Sequence, residues 1–148
     1  MKSILFVCLG NICRSPLAEG IAKKMVKENN LDITIDSAGT SGWHDGEPPH
    51  VNSCLIAKKY NVDIANLRSR KITRHDDKFD LIITMDSNNY NNVLKLGFDK
   101  NKVKKLGDYG LNGIDIPDPY YEDKDGFEKI YIMIAGCIEN LLKEYKQD

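Results

Sequence analysis

SILFVCLGNICRSPLAEG, residues 3–20, is the stretch that decides the fold. Ile4, Leu5, Phe6 and Val7 form a short apolar run suited to a strand buried on both faces of a parallel sheet. From Leu17 onward, Ala18, Ile21, Ala22, Met25 and Val26 recur at helical spacing. Cys8, Leu9, Gly10, Asn11, Ile12, Cys13 and Arg14 lie between strand and helix. Gly10 and Asn11 are the residue types that most readily take positive φ, so the chain can curl there with its amides inward. Ser15 reads as the N-cap and Pro16 as the first helical residue, with the helix running from about Pro16 to Asn29. Glu19 falls one position too far along for a capping box.

A ring of N–H donors closed on a helix N-terminus is an anion site. Cys8 stands at its entrance and Arg14 at its far end. Amides, helix dipole and guanidinium all favour negative charge on the sulfur, so a nucleophilic thiolate is expected. Arg14 presents a planar fork matched to two phosphate oxygens. A nucleophile and an oxyanion cradle in one short loop point to phosphoryl transfer through a phosphocysteine.

Cys8-x5-Arg14-Ser15, set directly after the first strand, resembles the low-molecular-weight protein tyrosine phosphatases. The bare Cys-x5-Arg pattern is a weak signal, but the fuller string CLGNICRSPLAEG is specific, and the resemblance extends over essentially the whole chain. It implies Cys8 as nucleophile and residues Leu9, Gly10, Asn11, Ile12, Cys13 and Ser15 as the phosphate-binding loop around Arg14. It also implies that Cys13 captures an oxidised Cys8 as a disulfide; plain packing is the other reading of that thiol. The substrates implied are phosphotyrosine-containing proteins or peptides, with inorganic phosphate as product and inhibitor and no cofactor or metal.

The rest of the chain reads as one α/β domain spanning residues 1–148. The expected architecture is three layers, with helices on both faces of a four-stranded parallel sheet in the order 2-1-3-4. LDITID (31–36) alternates and is the second strand, and Ser37 to Gly42 is a turn-rich loop emerging where open α/β sheets bind ligands. Trp43, the single tryptophan, is either a loop anchor or, as the resemblance implies, an aromatic wall of the cleft. His44 and His50 read as exposed loop residues without chemistry. A second helix is expected over about Pro49 to Tyr60 with Val51, Leu55, Ile56 and Ala57 inward. Residues 62 to 73 are irregular and basic, a solvated face or an attraction for acidic phosphopeptides. Relatives carry a histidine that braces the phosphate loop where Ala65-Asn66-Leu67 stands here, which leaves the brace on Asn11 open.

FDLIITM (79–85) is the third strand, followed by a helix to about Leu96 with Gly97 as its stop. Asp86 is either that helix's N-cap or, by resemblance, a support for the arginine loop. KVKKL (102–106) is a polar fourth strand near an edge. The last helix, about Gly126 to Tyr145, has a core stripe of Phe127, Ile130, Ile134, Cys137, Ile138 and Leu141.

Asp118 stands between Pro117 and Pro119, so its backbone has little freedom. The resemblance makes it the general acid, which then activates water in the second step. Tyr120 and Tyr121 read as walls opposite Trp43 or as phosphorylation sites, the two being compatible. Ser15 and Ser37 are hydrogen-bond partners for the thiolate and the loop, although Ser15 alone could be only a cap.

A net charge of −1 with both signs interspersed argues against nucleic acid as a partner. No stretch approaches the roughly 20 apolar residues that span a bilayer, and the amino-terminal run is too short for a signal-peptide core. A cytoplasmic monomer is expected. The four cysteines lack the Cys-x2-Cys spacing of zinc sites, the histidines are scattered, and no secretion signal favours disulfides. Cys54 and Cys137 read as helix core.

Arsenate reductases of the same fold need two further relay cysteines, absent from residues 82–93. Phosphoarginine phosphatases tend to carry threonine where Ile12 stands, and an apolar side chain there suits a phenyl ring. A non-catalytic phosphopeptide-binding module would need neither Cys8 nor Asp118. No glycine-lysine phosphate loop or dinucleotide fingerprint is present.

Overall fold

The first apolar run forms β1 (Lys2–Cys8), a central strand of a four-stranded sheet in the computed structural model, which describes residues 2–146. β2 (Ile33–Gly39) lies on one side of β1 and β3 (Leu81–Thr84) on the other, with β4 (Val103–Lys105) outermost beside β3. Every pairing is parallel, giving the expected order 2-1-3-4. The helices are α1 (Arg14–Glu28), α2 (Val51–Lys59), α3 (Ser87–Lys95) and α4 (Lys124–Lys146). Single 3-10 turns occupy Arg74–Lys78, Lys100–Lys102 and Leu106–Asp108.

Successive side chains of a strand point to opposite faces, and β1 shows what that does to a wholly apolar run. Ile4, Phe6 and Cys8 enter a core shared with α1, α2 and α4, while Leu5 and Val7 enter a second core under α3. Both faces are covered, which is why β1 carries no polar position between Ile4 and Val7. The predicted stripe of α4 is buried throughout. Phe127 is fully enclosed, and truncating such a ring costs about 3–5 kcal/mol. Among the described residues, no helix is long and apolar enough to cross a membrane.

Several boundaries differ from the sequence expectation. α1 begins at Arg14 with Cys13 at its N-cap position, so Ser15 is a helical residue and not the cap. Its hydroxyl faces the sulfur of Cys8 instead. β2 runs on through Ser37, Ala38 and Gly39, paired with Phe6, Val7 and Cys8, where a loop was expected. β3 is shorter than FDLIITM, although the Met85 amide still bonds the Val7 carbonyl. On α2 the inward residues are Ser53, Ile56 and Ala57, while Val51 and Leu55 face outward. Ser53 is fully buried on the inward face, where its hydroxyl bonds the Cys13 carbonyl. Cys137 is buried as expected, but Cys54 is only half-buried.

Candidate active site

The loop between β1 and α1 is held from outside by its carbonyl groups. The Cys8 carbonyl accepts from the Thr40 amide, Leu9 from the amide and hydroxyl of Ser41, and Gly10 from the Ser69 hydroxyl. The Ile12 carbonyl accepts from the His50 amide and Cys13 from the Ser53 hydroxyl. No peptide bond in the described chain is cis. In a planar trans peptide the following N–H points opposite the carbonyl, so the amides of residues 9, 10, 11, 13 and 14 turn toward the centre of the ring. The anion cradle is thus a consequence of five outward tethers.

Asn11 takes the left-handed conformation, with φ at 57°. Gly10 does not adopt positive φ, contrary to expectation. Its lack of a side chain serves close approach, since a Cβ there would sit 3.0 Å from Cδ2 of His44. The Arg70 amide donates to Asn11 Oδ1, and a backbone N–H can only donate, so the side-chain amide is fixed with Nδ2 inward. Nδ2 donates to Ser15 Oγ at 2.7 Å and to Ser37 Oγ at 3.0 Å. Ser37 in turn donates to Glu19, whose other oxygen pairs with Lys23. With Asn11 occupying one lone pair of Ser15, the serine hydroxyl can donate to Cys8 Sγ, 3.0 Å away, with the Ala38 carbonyl at 3.5 Å as its other acceptor. The brace on Asn11 is therefore complete through Arg70 and Ser37, and the missing histidine near Leu67 leaves no gap in it.

Arg14 is almost wholly buried. One side of its guanidinium is used up structurally: Nη1 donates to Asp86 Oδ2 and to the Ile116 carbonyl, both at 2.7 Å. Among the described residues Nε has no partner, and Nη2 meets only Asp118 Oδ2, at 3.9 Å. The Nε–Nη2 edge is a bidentate fork with nothing closer to bind, the geometry that grips two phosphate oxygens. Burial opposes the charge of Arg14, but Cys8, Asp86 and Asp118 together raise its pKa further. Asp86 meets both sequence readings at once. It caps α3 through the Asn89 amide and holds Arg14 with its second oxygen.

Cys8, Arg14 and Asp118 open onto one cleft of about 250 Å³, lined further by Ile12, Cys13, Trp43, Tyr120 and Tyr121. Trp43 is 78% exposed, which excludes a loop anchor and leaves it as a rim of this cleft. Tyr121 is more exposed still. The Cys13 thiol is pushed well up by burial and by the charges of Cys8 and Asp118, which keeps it protonated. All four cysteines are free.

Two histidines correct the sequence reading. His44 lines the cleft, packs against Tyr120 and meets Glu47 through Nδ1 at 2.9 Å. His50 caps α2 by accepting the Asn52 amide, stacks on Phe127 and meets the edge of Tyr120. Ser41, Ser53, Ser69, Glu19 and Arg70 were likewise not singled out. Nothing in their local sequence marks them, because each reaches the loop across a separation of 18 residues or more or acts through another side chain.

Comparison with known proteins agrees with the fold. The family described as low molecular weight phosphotyrosine protein phosphatase matches residues 3–148. A Staphylococcus aureus relative, low molecular weight protein-tyrosine-phosphatase PtpA, is 38% identical over 151 residues, covering all of this chain and 96% of the relative. Protein tyrosine phosphatase from Entamoeba histolytica superposes with a TM-score of 0.94 at 32% identity, covering 99% of this chain and 98% of that one. A drosophila arginine phosphatase, DARP, superposes with a TM-score of 0.91 at 34% identity, covering 100% and 99%.

Proposed function

This chain belongs to the low molecular weight phosphotyrosine protein phosphatase family, and from that premise we propose that it hydrolyses phosphotyrosine through a phosphocysteine formed on Cys8. The Cys8 thiolate attacks phosphorus in line with the leaving oxygen. Loop amides and the Nε–Nη2 edge of Arg14 carry the charge that gathers on the equatorial oxygens. Asp118 gives its proton to the departing phenolate oxygen, and tyrosine leaves. The ionised Asp118 then takes a proton from water as that water attacks the phosphocysteine. The S–P bond breaks, the thiolate returns and inorganic phosphate departs, so that phosphate is also a competitive ligand of the cradle.

One observation carries this reading: sulfur, an unpartnered guanidinium edge and a carboxylate share a single cleft. The aromatic rim supports a planar aryl group, since Trp43 and Tyr120 can flank a ring whose phosphate reaches the loop. A cytoplasmic setting, where thiols stay reduced, suits a catalytic cysteine. Should Cys8 be oxidised to the sulfenic acid, the Cys13 thiol can condense with it to a disulfide with loss of water.

Phosphoarginine hydrolysis is the second reading, favoured by the likeness to an arginine phosphatase. Ile12, nearly buried in the cleft wall, supports the aryl substrate instead, because it offers a guanidinium no hydrogen-bond acceptor. The test is turnover of phosphotyrosine, phosphoserine and phosphoarginine peptides side by side in excess chelator. Phosphotyrosine is expected to be preferred, and Cys8→Ser to abolish turnover while retaining phosphate binding. Turnover unchanged in Cys8→Ser would refute the mechanism, and a preference for phosphoarginine would transfer the assignment to the second reading.

A further inference from the structure

Asp118 inherits its position from the chain around it. Its carboxylate is 42% exposed, accepts the Tyr120 amide at 3.1 Å, and lies 3.9 Å from Arg14. Two residues upstream, Ile116 is tied on both sides, its amide to the Met85 carbonyl and its carbonyl to Arg14 Nη1. One residue further upstream, a single oxygen of Asp115 accepts three hydrogen bonds. These come from the Ser87 amide and the Ser87 hydroxyl, each at 3.1 Å, and from Lys105 Nζ at 2.8 Å.

Ser87 is the first residue of α3, and Asp86, its N-cap, is the residue that holds Arg14. Two neighbouring residues at one helix N-terminus thereby fasten the two groups that must meet across the phosphate: Asp86 fastens the guanidinium, and Ser87 fastens the segment leading to Asp118. We propose that Asp115, clamped by Ser87 and Lys105, is a positioning residue for Asp118, setting its distance from the leaving oxygen. This rests on the reading of Asp118 as the general acid. The Lys105 hydrogen bond, with smaller contributions from Ser87, holds the Asp115 carboxyl below its ordinary range, which favours the charged form that meets Lys105. A carboxylate that merely stabilised the loop would affect all substrates alike. A positioning carboxylate matters most where the leaving oxygen most needs a proton.

The experiment reads kcat/KM, which reports steps up to departure of the leaving group, for phenyl phosphate (a poor leaving group) and 4-nitrophenyl phosphate (a good one). Asp115→Asn keeps an acceptor for Ser87 but loses the charge facing Lys105. Lys105→Met opens the clamp from β4 without touching the loop or any group that meets substrate. Each is expected to lower kcat/KM for phenyl phosphate roughly tenfold, since small misplacements of a reacting group are costly, and for 4-nitrophenyl phosphate less than about twofold. Inhibition by inorganic phosphate should stay within about twofold of wild type, because Asp86 still holds Arg14. The double variant should be little worse than either single one, as for two halves of one interaction. Equal losses on both substrates, or weakened phosphate inhibition of the same size, would overturn the proposal. Asp118→Ala run in parallel separates the failures: if it too shows no leaving-group dependence, the acid assignment itself is wrong.

Discussion

At the residue scale, the site depends on how closely β2 can approach the phosphate loop. Gly39 ends β2 opposite Cys8, and its amide and carbonyl bond the Arg70 carbonyl and the Ile72 amide. A Cβ on Gly39 would lie 2.7 Å from the Leu9 carbonyl oxygen and 3.1 Å from the Asn11 amide nitrogen. Both are backbone atoms of the loop, with no flexible side chain to give way. Gly39→Ala is therefore expected to push the loop outward and lower both kcat/KM and phosphate affinity by roughly tenfold or more, with the far-ultraviolet circular dichroism unchanged. Activity within twofold of wild type would show that the loop can move without loss. Cys8, Arg14 and Asp118, which the structure gathers in one cleft, stand out in the sequence because each sits in a short distinctive string. Gly39 does not, because the feature that demands glycine there is a loop about thirty residues earlier. His44 and His50 were misread for the same reason: their partners, Tyr120 and Phe127, come from the far end of the chain.

Among the elements, α2 has the least conventional start. Its N-cap is His50, whose Nδ1 must be unprotonated to accept the Asn52 amide. Burial lowers the pKa of His50 below its ordinary value. Below about pH 6.5, the usual histidine value, the unfolded chain therefore binds more protons at this position than the folded one. Stability must fall as pH drops through that value toward the lower folded-state value, and it is fully restored above it. Loss of a cap is worth about 1 kcal/mol. His50→Asn keeps an acceptor that does not titrate, so its melting temperature should fall less between pH 7.5 and 5.5 than that of wild type. Identical slopes would mean that His50 titrates alike in both states. The four strands and four α-helices were readable, by apolar runs or by helical spacing, whereas the short 3-10 turns at Arg74–Lys78, Lys100–Lys102 and Leu106–Asp108 carry no such signal. Boundaries were less readable: Ser15 is a residue type favoured at caps, but Asn11 and Cys8 engage its hydroxyl, and the helix starts two residues earlier, at Arg14.

Taken whole, the molecule assembles its anion site from parts that meet only when both faces of the sheet are covered. The loop springs from β1, its tethers come from residues 40, 41, 50, 53 and 69, and Arg14 is fixed by Asp86 from the α3 side. The strand order 2-1-3-4 matches the expectation, whereas this convergence of tethers depends on tertiary contacts that no local pattern encodes. A site of this kind has no counterpart in the unfolded chain, so a phosphate ion binds the native state alone. Mass action then requires stabilisation by RT ln(1 + [L]/Kd), about 2.7 kcal/mol at a hundred times Kd. For a chain of 148 residues that corresponds to a rise in Tm of about 5–10 °C. Cys8→Ser should keep the rise, since it leaves amides and guanidinium in place, whereas Arg14→Met should lose most of it relative to its own phosphate-free melting temperature. Calorimetry in phosphate against a chloride buffer of equal ionic strength checks this. A rise of equal size in Arg14→Met would mean that phosphate stabilises the protein somewhere other than the cradle.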